Sequence, residues 1–406
     1  MTFGSEFFAS LAAPLSLVLA SARWYLYQAS LVYRDVFRGI YDRLARKAGA
    51  RTVNLAEFWL WTQPLIFGDD TRPEHTLETM LQERWSAILD VPDGHRRVEY
   101  ASQDLWQRVL ELFAAPHLGW ASARYHSPDV TIAASGVQAI QDGQYQCVLG
   151  EVHPGANTLR SSLFVSQHPS PGELLRATES DLPEPQSVFV PTRGEKGMPL
   201  RLSNALVPSK DWRFAFGYDS CGIPKSRALP IGSLVVEDDD GALIVRTRDG
   251  RLRFDIIEIY GDLVMTRLLH AFDILPPSSH TPRVSIDRLV IQRETWRFAP
   301  QEISFAWDKD EADRFLGARR WMHAHEMPRF VFVKATTEKK PFYVDLASPI
   351  SVNIFAKVIR RTAESDSPEA SVTVTEMLPA PGQTWLPDSK GQRYTCELRI
   401  VAVDMQ

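Results

Sequence analysis

Three polar side chains follow an apolar run in the segment Gly150-Glu151-Val152-His153-Pro154-Gly155-Ala156-Asn157-Thr158. A carboxylate, an imidazole and an amide this close in sequence have the chemistry needed to orient a substrate and move a proton. Glu151 and His153 are therefore candidate catalytic residues in a turn-rich loop, and Asn157 is a candidate substrate-binding residue. The alternative is a structural loop in which Asn157 and Thr158 bond to their own backbone and His153 packs in place.

A second polar cluster, SARYHSPDV, lies shortly before this segment. It contributes Arg124 and His126 as further candidate catalytic residues. Arg124 and Asp129 in one loop predict either a structural ion pair or a site that binds a phosphate or carboxylate.

Four arginines form the most basic part of the chain. Strand alternation and a turn at Asp249-Gly250 would bring them together, as expected for contact with an RNA backbone. The competing interpretation is a solvated strand face whose arginines pair with Glu237, Asp249 or Asp255. Arg297 is a further candidate for substrate or tRNA binding. It follows Trp296, which we predict to be a buried anchor of its strand with an arginine stacked on the ring. The four arginines are Arg246, Arg248, Arg251 and Arg253.

Familiar catalytic signatures are missing from the sequence. It has no phosphate-binding P-loop, no GxGxxG, no Gly-x-Ser-x-Gly and no HExxH. His323 and His325 do not predict a metal site, because residues two apart on a helix point about 200° away from each other. We expect no metal and no organic cofactor.

Composition points to an ordinary globular protein. The apolar fraction is 44%, the charged fraction 23% and the formal net charge -5, so no global positive field attracts nucleic acid or anionic lipid. Cys147, Cys221 and Cys396 are far apart and odd in number, which indicates a reducing compartment. The sequence predicts a cytoplasmic protein without a membrane partner.

The expected fold class is α+β, with a helical amino-terminal part followed by a mixed or antiparallel sheet with packed helices. We predict a mainly helical subdomain over residues 1–119, a strand-rich subdomain over 120–280 and an α+β subdomain over 281–406. The apolar run Phe7–Ala22, interrupted by Pro14, predicts a buried helix, with a targeting segment as the alternative.

Several local elements follow from apolar spacing and turn residues. Helices are expected at Arg23–Lys47, with Gly49 as its C-cap, and at Asn54–Thr62. Short strands are expected at Val130–Ala134, Gln146–Gly150 and Ser162–Ser166.

Several blocks of the chain, in the expected order, resemble the lantibiotic dehydratase family. A "PR…R…W" strand precedes a helix, a second strand and an acidic turn, and the two polar clusters above also resemble family segments. The blocks are Thr281-Pro282-Arg283-Val284, Arg288-Leu289-Val290-Ile291, Arg293-Glu294-Thr295-Trp296-Arg297, Pro328-Arg329-Phe330-Val331-Phe332-Val333-Lys334 and Lys340-Pro341-Phe342-Tyr343-Val344-Asp345-Leu346-Ala347-Ser348-Pro349.

The resemblance implies an unusual peptide chemistry. Family enzymes take an aminoacyl group, glutamyl in the best-known cases, from tRNA and esterify Ser or Thr of a ribosomally made precursor peptide. Aminoacyl-tRNA then serves as co-substrate, and the precursor peptide as the acceptor. A separate carboxy-terminal domain eliminates the glutamate, and related members append an amino acid to a peptide terminus.

The resemblance also implies an incomplete enzyme. The family's aminoacyl-transfer domain is expected to extend beyond this chain on its amino-terminal side, and the elimination domain beyond its end. A second polypeptide would then supply the rest of the domain. The alternatives are a fragment of a longer enzyme or a non-catalytic module that binds a peptide or a partner.

Overall fold

A computed structural model describes residues 3–68, 73–92, 94–190, 205–216, 223–270, 272–365 and 367–405. Within these ranges helices and sheets are intermixed, and the α+β prediction is confirmed. The residues from Ser5 to Leu112 are mainly helical, with two short strands that pair with distant parts of the chain. The strand-rich part follows from Tyr125.

The helices of the described residues are α1 (Ser5–Ala48), α2 (Leu55–Phe67), α3 (His75–Leu89), α4 (Ser102–Leu112), α5 (Val137–Gln141), α6 (Gly155–Arg160), α7 (Ser162–Val165), α8 (Pro171–Asp181), α9 (Ile256–Leu269), α10 (Glu311–Ala324) and α11 (Pro349–Ala363).

The strands of the described residues are β1 (Thr52–Asn54), β2 (Arg97–Tyr100), β3 (Tyr125–Ala133), β4 (Gln146–Pro154), β5 (Ser187–Val190), β6 (Trp212–Ala215), β7 (Ala228–Pro230), β8 (Leu234–Asp239), β9 (Ala242–Thr247), β10 (Arg253–Asp255), β11 (His280–Thr281), β12 (Arg283–Ile286), β13 (Leu289–Gln292), β14 (Thr295–Phe298), β15 (Phe330–Ala335), β16 (Phe342–Asp345), β17 (Val372–Glu376), β18 (Leu386–Pro387), β19 (Arg393–Tyr394), β20 (Glu397–Arg399) and β21 (Ala402–Val403).

The amino-terminal helix α1 is longer than the sequence predicts, since it continues through Pro14 for 44 residues. A proline inside a helix removes one hydrogen bond, and burial of the flanking Leu11, Leu15 and Val18 offsets that loss. The helix ends at Gly49, whose left-handed φ of 60° suits a residue without a Cβ. Both the buried helix and its C-cap are thus as predicted.

By length and composition alone, α1 is long and apolar enough to cross a membrane. However, 44% of its most apolar stretch is buried inside the protein, which is also what a core helix shows. The helix is therefore weak evidence for a membrane.

Two further local predictions have different outcomes. The helix after Asn54 is confirmed, because the Asn54 side chain accepts a hydrogen bond from the Ala56 amide at 2.8 Å as an N-cap. The strand at Ser162–Ser166 is wrong: these residues form α7, a single turn whose Val165 and Ser166 amides bond back to the Ser161 and Ser162 carbonyls. A run of four residues is too short for apolar periodicity to separate a strand from a helical turn.

The largest sheet has seven strands in the order β2-β12-β13-β4-β3-β20, with β21 also pairing with β3. Strand β2 runs parallel to β12 and β13 parallel to β4, whereas β3 and β4 are antiparallel, so the sheet is mixed as predicted. A second sheet of five strands, β11-β14-β17-β15-β16, is antiparallel throughout.

The two largest hydrophobic cores of the described residues correspond to these sheets. The larger joins the amino-terminal helices, α9 and the seven-stranded sheet, and the smaller lies between the five-stranded sheet and helices α10 and α11. Trp296 on β14 is buried in the smaller core, as predicted for a strand anchor. The cation over its ring is Arg96, at 6.0 Å, rather than one of the neighbouring arginines. The three-subdomain division stays a prediction.

Two glycines provide a matched test of core packing. A Cβ on Gly261 of α9 would lie 2.5 Å from the Trp120 ring, so Gly261→Ala is expected to lower the free energy of unfolding by about 1–3 kcal/mol. Gly39 on α1 has open space around its Cα and is exposed, so Gly39→Ala is expected to raise the free energy of unfolding by about 0.5–1 kcal/mol. Urea denaturation of the two variants measures both effects. Equal destabilisation by both would contradict this packing.

Candidate functional site

Antiparallel pairing of β3 and β4 brings the two predicted polar clusters together. Ser127 lies opposite His153, and His126 lies opposite Pro154. Both segments were expected to be loops, and that expectation is wrong: residues 125–133 form β3, and β4 continues through Pro154. The apolar strand does not stop at Gly150, because β3 continues to supply backbone partners beyond it.

The centre of this arrangement is an Asp–His pair. The Nε2 atom of His153 lies 2.9 Å from Oδ2 of Asp129, and the other carboxylate oxygen of Asp129 lies 2.5 Å from Nε of Arg399. Because a carboxylate accepts, Nε2 is the nitrogen that donates to Asp129, and in the neutral imidazole this leaves the lone pair on Nδ1. Glu151 is largely exposed, with its carboxylate 3.5 Å from His153 Nε2. This geometry allows Nδ1 of His153 to accept a proton from a substrate.

The predicted pairing of Arg124 with Asp129 is wrong. Arg124 ends a 3₁₀ turn before β3 and donates instead to the backbone carbonyl of Asp181, while Asp129 is held by His153 and Arg399. The Asp181 carboxylate accepts from the Tyr125 hydroxyl at 3.1 Å. Arg124 precedes β3 and Asp129 is the fifth residue of the strand, so the extended backbone between them carries the two side chains apart.

The start of α6 is positioned by Gly155. A Cβ at this position would lie 2.6 Å from the Cβ of Tyr125, so only glycine allows the helix to begin this close to β3. The Thr158 hydroxyl on α6 donates to Ser127 Oγ at 2.8 Å rather than to its own backbone. Asn157 is half-buried on the same turn, and its carbonyl accepts from the Ser161 amide.

His126 lies in a different environment from His153. It is buried, its Nε2 has no hydrogen-bond partner among the described residues, and Asp404 and Arg23, an ion pair at 2.9 Å, act on it electrostatically. Its pKa is lowered from 6.5 to about 4, mainly by burial, which Asp404 opposes and Arg23 reinforces. The imidazole is therefore neutral at pH 7.

This buried imidazole predicts a specific loss of stability in acid. Its folded pKa of about 4 is below the unfolded value of 6.5, so the unfolded chain binds more protons between these values. The contribution is complete above the unfolded pKa and is lost as the pH falls towards the folded pKa. Between about pH 7 and about pH 5 the wild-type free energy of unfolding is expected to fall by about 2 kcal/mol more than that of His126→Gln. Parallel pH profiles from urea denaturation would contradict this.

Most of the four arginines at the predicted basic hairpin are neutralised by neighbours. Arg246 Nε lies 2.8 Å from Glu237. Arg253 pairs with Asp239 at 2.5 Å and with Glu237 at 3.8 Å, and Arg251 lies 3.2 Å from Asp249. Arg248 follows the end of β9 and is exposed. The contacts thus match the alternative of a solvated, ion-paired strand face, although Asp255 pairs with Arg34 instead.

A cavity of about 400 Å³ lies between the two large sheets and contains the last of the predicted residues, Arg297. Its walls also include Arg293, Asp273 and the hydroxyl-bearing Thr295 and Thr375. Sequence features select neither Asp273 nor Arg399, and they suggest Arg293 only as one of the arginines around Trp296 that could stack on the ring. The alternation of side chains along β14 could have identified part of the cavity wall. Because Trp296 is buried, its neighbours Thr295 and Arg297 must face the opposite side of the sheet.

The described residues contain no group of three or more His, Cys, Asp or Glu side chains arranged to hold a metal ion. Cys147 is buried, and burial raises the pKa of its thiol to about 12. Cys396 is partly buried, and Cys221 lies outside the described residues.

Comparison with known proteins shows that part of the chain resembles a known family. Residues 266–355 match the family model described as "Lantibiotic dehydratase, N terminus". The predicted resemblance to the lantibiotic dehydratases is confirmed. The matched segment contains the cavity residues Arg293 and Arg297, whereas the Asp129–His153 pair lies outside it. No curated protein matches the chain.

The solved structures of the TbtB glutamylation domain show the same fold. The glutamylation domain of TbtB from thiomuracin biosynthesis superposes with a TM-score of 0.57 at 19% identity, covering 97% of this chain and 50% of that one. The same domain bound to 5'-phosphodesmethylglutamycin has a TM-score of 0.56 at 20% identity, with the same coverage. The tRNA-dependent lantibiotic dehydratase MibB from Microbispora sp. 107891 has a TM-score of 0.47 at 16% identity, covering 73% of this chain and 31% of that one. The chain therefore spans about half the length of the TbtB structures.

Proposed function

We propose that this chain is part of an enzyme that transfers an aminoacyl group, glutamyl in the first instance, from tRNA to Ser or Thr of a ribosomally made precursor peptide. The observation that carries the proposal is the match of residues 266–355 to the amino-terminal lantibiotic dehydratase model. The fold shared with a glutamylation domain over 97% of the chain supports it.

The Asp129–His153 pair suits the proton transfer that this reaction requires. Nδ1 of His153 would accept the proton of the peptide hydroxyl while the hydroxyl oxygen attacks the carbonyl carbon of the aminoacyl ester. The ester bond to the tRNA ribose then breaks, and the imidazolium returns the proton to the departing ribose oxygen. Asp129 would hold the required tautomer and stabilise the transient positive charge.

The proposal needs no metal and no organic cofactor, because the ester arrives activated on the tRNA, which is a co-substrate. Since charged tRNA is a cytoplasmic metabolite, we place the reaction in the cytoplasm. The proposed partners are the precursor peptide, aminoacyl-tRNA and a second polypeptide that completes the domain.

The test is direct. The purified chain is incubated with the precursor peptide and tRNA charged with radiolabelled glutamate, alone and with the polypeptides encoded by neighbouring genes. Label and one glutamyl mass should appear on the peptide. If the peptide binds but gains no mass in any combination, the catalytic proposal fails and a non-catalytic peptide-binding module is the better account.

A further inference from the structure

The cavity between the two sheets is walled by polar groups on the side of the five-stranded sheet. Thr295 pairs in register with Thr375, and Arg297 pairs with Thr373. These four residues line the cavity, whereas the alternating residues, among them Trp296 and Val374, are buried in the smaller core. A row of three hydroxyls and one guanidinium therefore faces the space, which is of the size of a small-molecule site.

Two guanidinium groups at this cavity have unused hydrogen-bond donors. Arg293 is partly buried, its Nε has no partner in the described part of the chain, and its Nη2 makes one long contact of 3.5 Å with the Leu378 carbonyl. The Arg297 side chain is exposed and makes no hydrogen bond or ion pair to the described residues. Leaving the buried Nε of Arg293 unpaired is costly, which points to a ligand that uses it. The exposed Arg297 lines the same cavity and adds a second positive charge there.

Nearby carboxylates do not neutralise these arginines, because they are bound elsewhere. Both oxygens of Glu376 bond to Arg283, and one also accepts from the Glu294 amide at 2.9 Å. The Glu294 carboxylate is bound by Arg96 at 2.7 and 3.0 Å. Glu376 and Glu294 thus have arginine partners, whereas Nε of Arg293 has no hydrogen-bond partner among the described residues.

Asp273 is an acidic residue in the lining of the same cavity. Desolvation and the nearby Glu151 both raise the pKa of its carboxyl, and because its side chain is exposed, water also screens its charge. Both effects weaken the repulsion of an incoming anion. For Arg293, burial lowers the pKa and Glu376 opposes this. An incoming anion would stabilise the charged guanidinium.

We propose that this cavity is an anion site in which Arg293 and Arg297, together with the threonine hydroxyls, bind a carboxylate or phosphate group. In aminoacyl transfer it would hold the anionic group of the donor, either the side-chain carboxylate of an acidic amino acid or a phosphate of the tRNA end. The assignment of the site to the aminoacyl donor rests on the proposed function, whereas the anion site itself does not.

Calorimetric titration of the whole chain with L-glutamate, with L-glutamine as its neutral counterpart, and with inorganic phosphate tests the site. We expect glutamate or phosphate to bind, glutamine to bind more weakly than glutamate, and added salt to weaken the interaction. Arg293→Gln and Arg297→Gln should each weaken binding by about tenfold or more, since a hydrogen bond to a charged group is lost. Arg329→Gln, at an exposed arginine paired outside the cavity, should leave binding unchanged.

The outcomes separate the alternatives. Binding of glutamate alone assigns the site to a carboxylate, and binding of phosphate alone assigns it to a phosphate. The proposal is overturned if neither ligand binds, or if both arginine variants bind like the wild type. If Arg293→Gln does not fold, Arg297→Gln still tests the site, because the Arg297 side chain is exposed and its replacement does not disturb the core. Glutamyl transfer is measured on the same preparations, with the polypeptides encoded by neighbouring genes added. Transfer without anion binding then overturns only the site, and anion binding without transfer in any combination overturns only the function.

Discussion

Replacing Glu376 with Gln is expected to lower the free energy of unfolding by about 3–5 kcal/mol. The Glu376 carboxylate on β17 accepts two parallel hydrogen bonds from Arg283 on β12, one of them at 2.7 Å, and side-chain exposure is 13% for Arg283 and 4% for Glu376. The pair joins the seven-stranded sheet to the five-stranded sheet. A Gln at this position leaves the Arg283 charge largely buried without the carboxylate that bonds to it, and the loss of that directly bonded counter-charge is the main cost.

The matched control is Asp345→Asn. Asp345 also accepts two parallel hydrogen bonds from an arginine, Arg329, both at 2.8 Å, but that arginine is 54% exposed. Water can therefore solvate the arginine when its partner is neutralised, and only a small change is expected. Urea denaturation followed by tryptophan fluorescence compares the two variants. Equal losses of stability would show that burial does not decide the strength of these pairs.

Replacing His153 with Asn is expected to reduce glutamyl transfer by about 10²–10⁴-fold, the range typical of loss of a general base. The imidazole is the group whose Nδ1 can take the proton of a peptide hydroxyl, and Asn cannot accept that proton. Asp129→Asn should also reduce the rate strongly, because an amide no longer stabilises the positive charge on His153. The measurement is the initial rate of glutamyl addition to the precursor peptide.

Two controls make this result specific. His323→Asn makes the same substitution on the exposed surface of α10 and should leave the rate unchanged. Binding of the precursor peptide to His153→Asn should also match the wild type, since the variant lacks only a proton acceptor. Transfer at the wild-type rate by His153→Asn would remove the Asp129–His153 pair from the proposed mechanism.

Local features of the sequence predicted several elements correctly. Asn54 marked the start of α2 and Gly49 the end of α1, because capping depends on residues adjacent to the helix end. The apolar strand beginning at Gln146 and the anchor role of Trp296 were also predicted from short patterns. The end of that strand was not predicted, because its last residues include Gly150 and Pro154, which are typical of turns, and they are held in β4 by their pairing with β3.

The family resemblance was also available from the sequence, because it depends on residue identities within continuous blocks. The matched segment 266–355 contains the blocks around Arg283, Trp296 and Arg329. The polar segments near Arg124 and Glu151 lie outside that match, and the functional assignment of their residues stays a prediction.

The sequence by itself determined the α+β class, the end of α1 at Gly49, the start of α2 at Asn54 and the family resemblance. Only the tertiary structure decided which charged groups meet. Asp129 contacts His153 and Arg399, residues far apart in the chain, because β4 and β20 pair with β3 on its two sides. The cavity is likewise built from β4, the segment after α9, β13, β14 and β17. No local pattern encodes these contacts, because strand pairing and sheet packing set them over long separations along the chain.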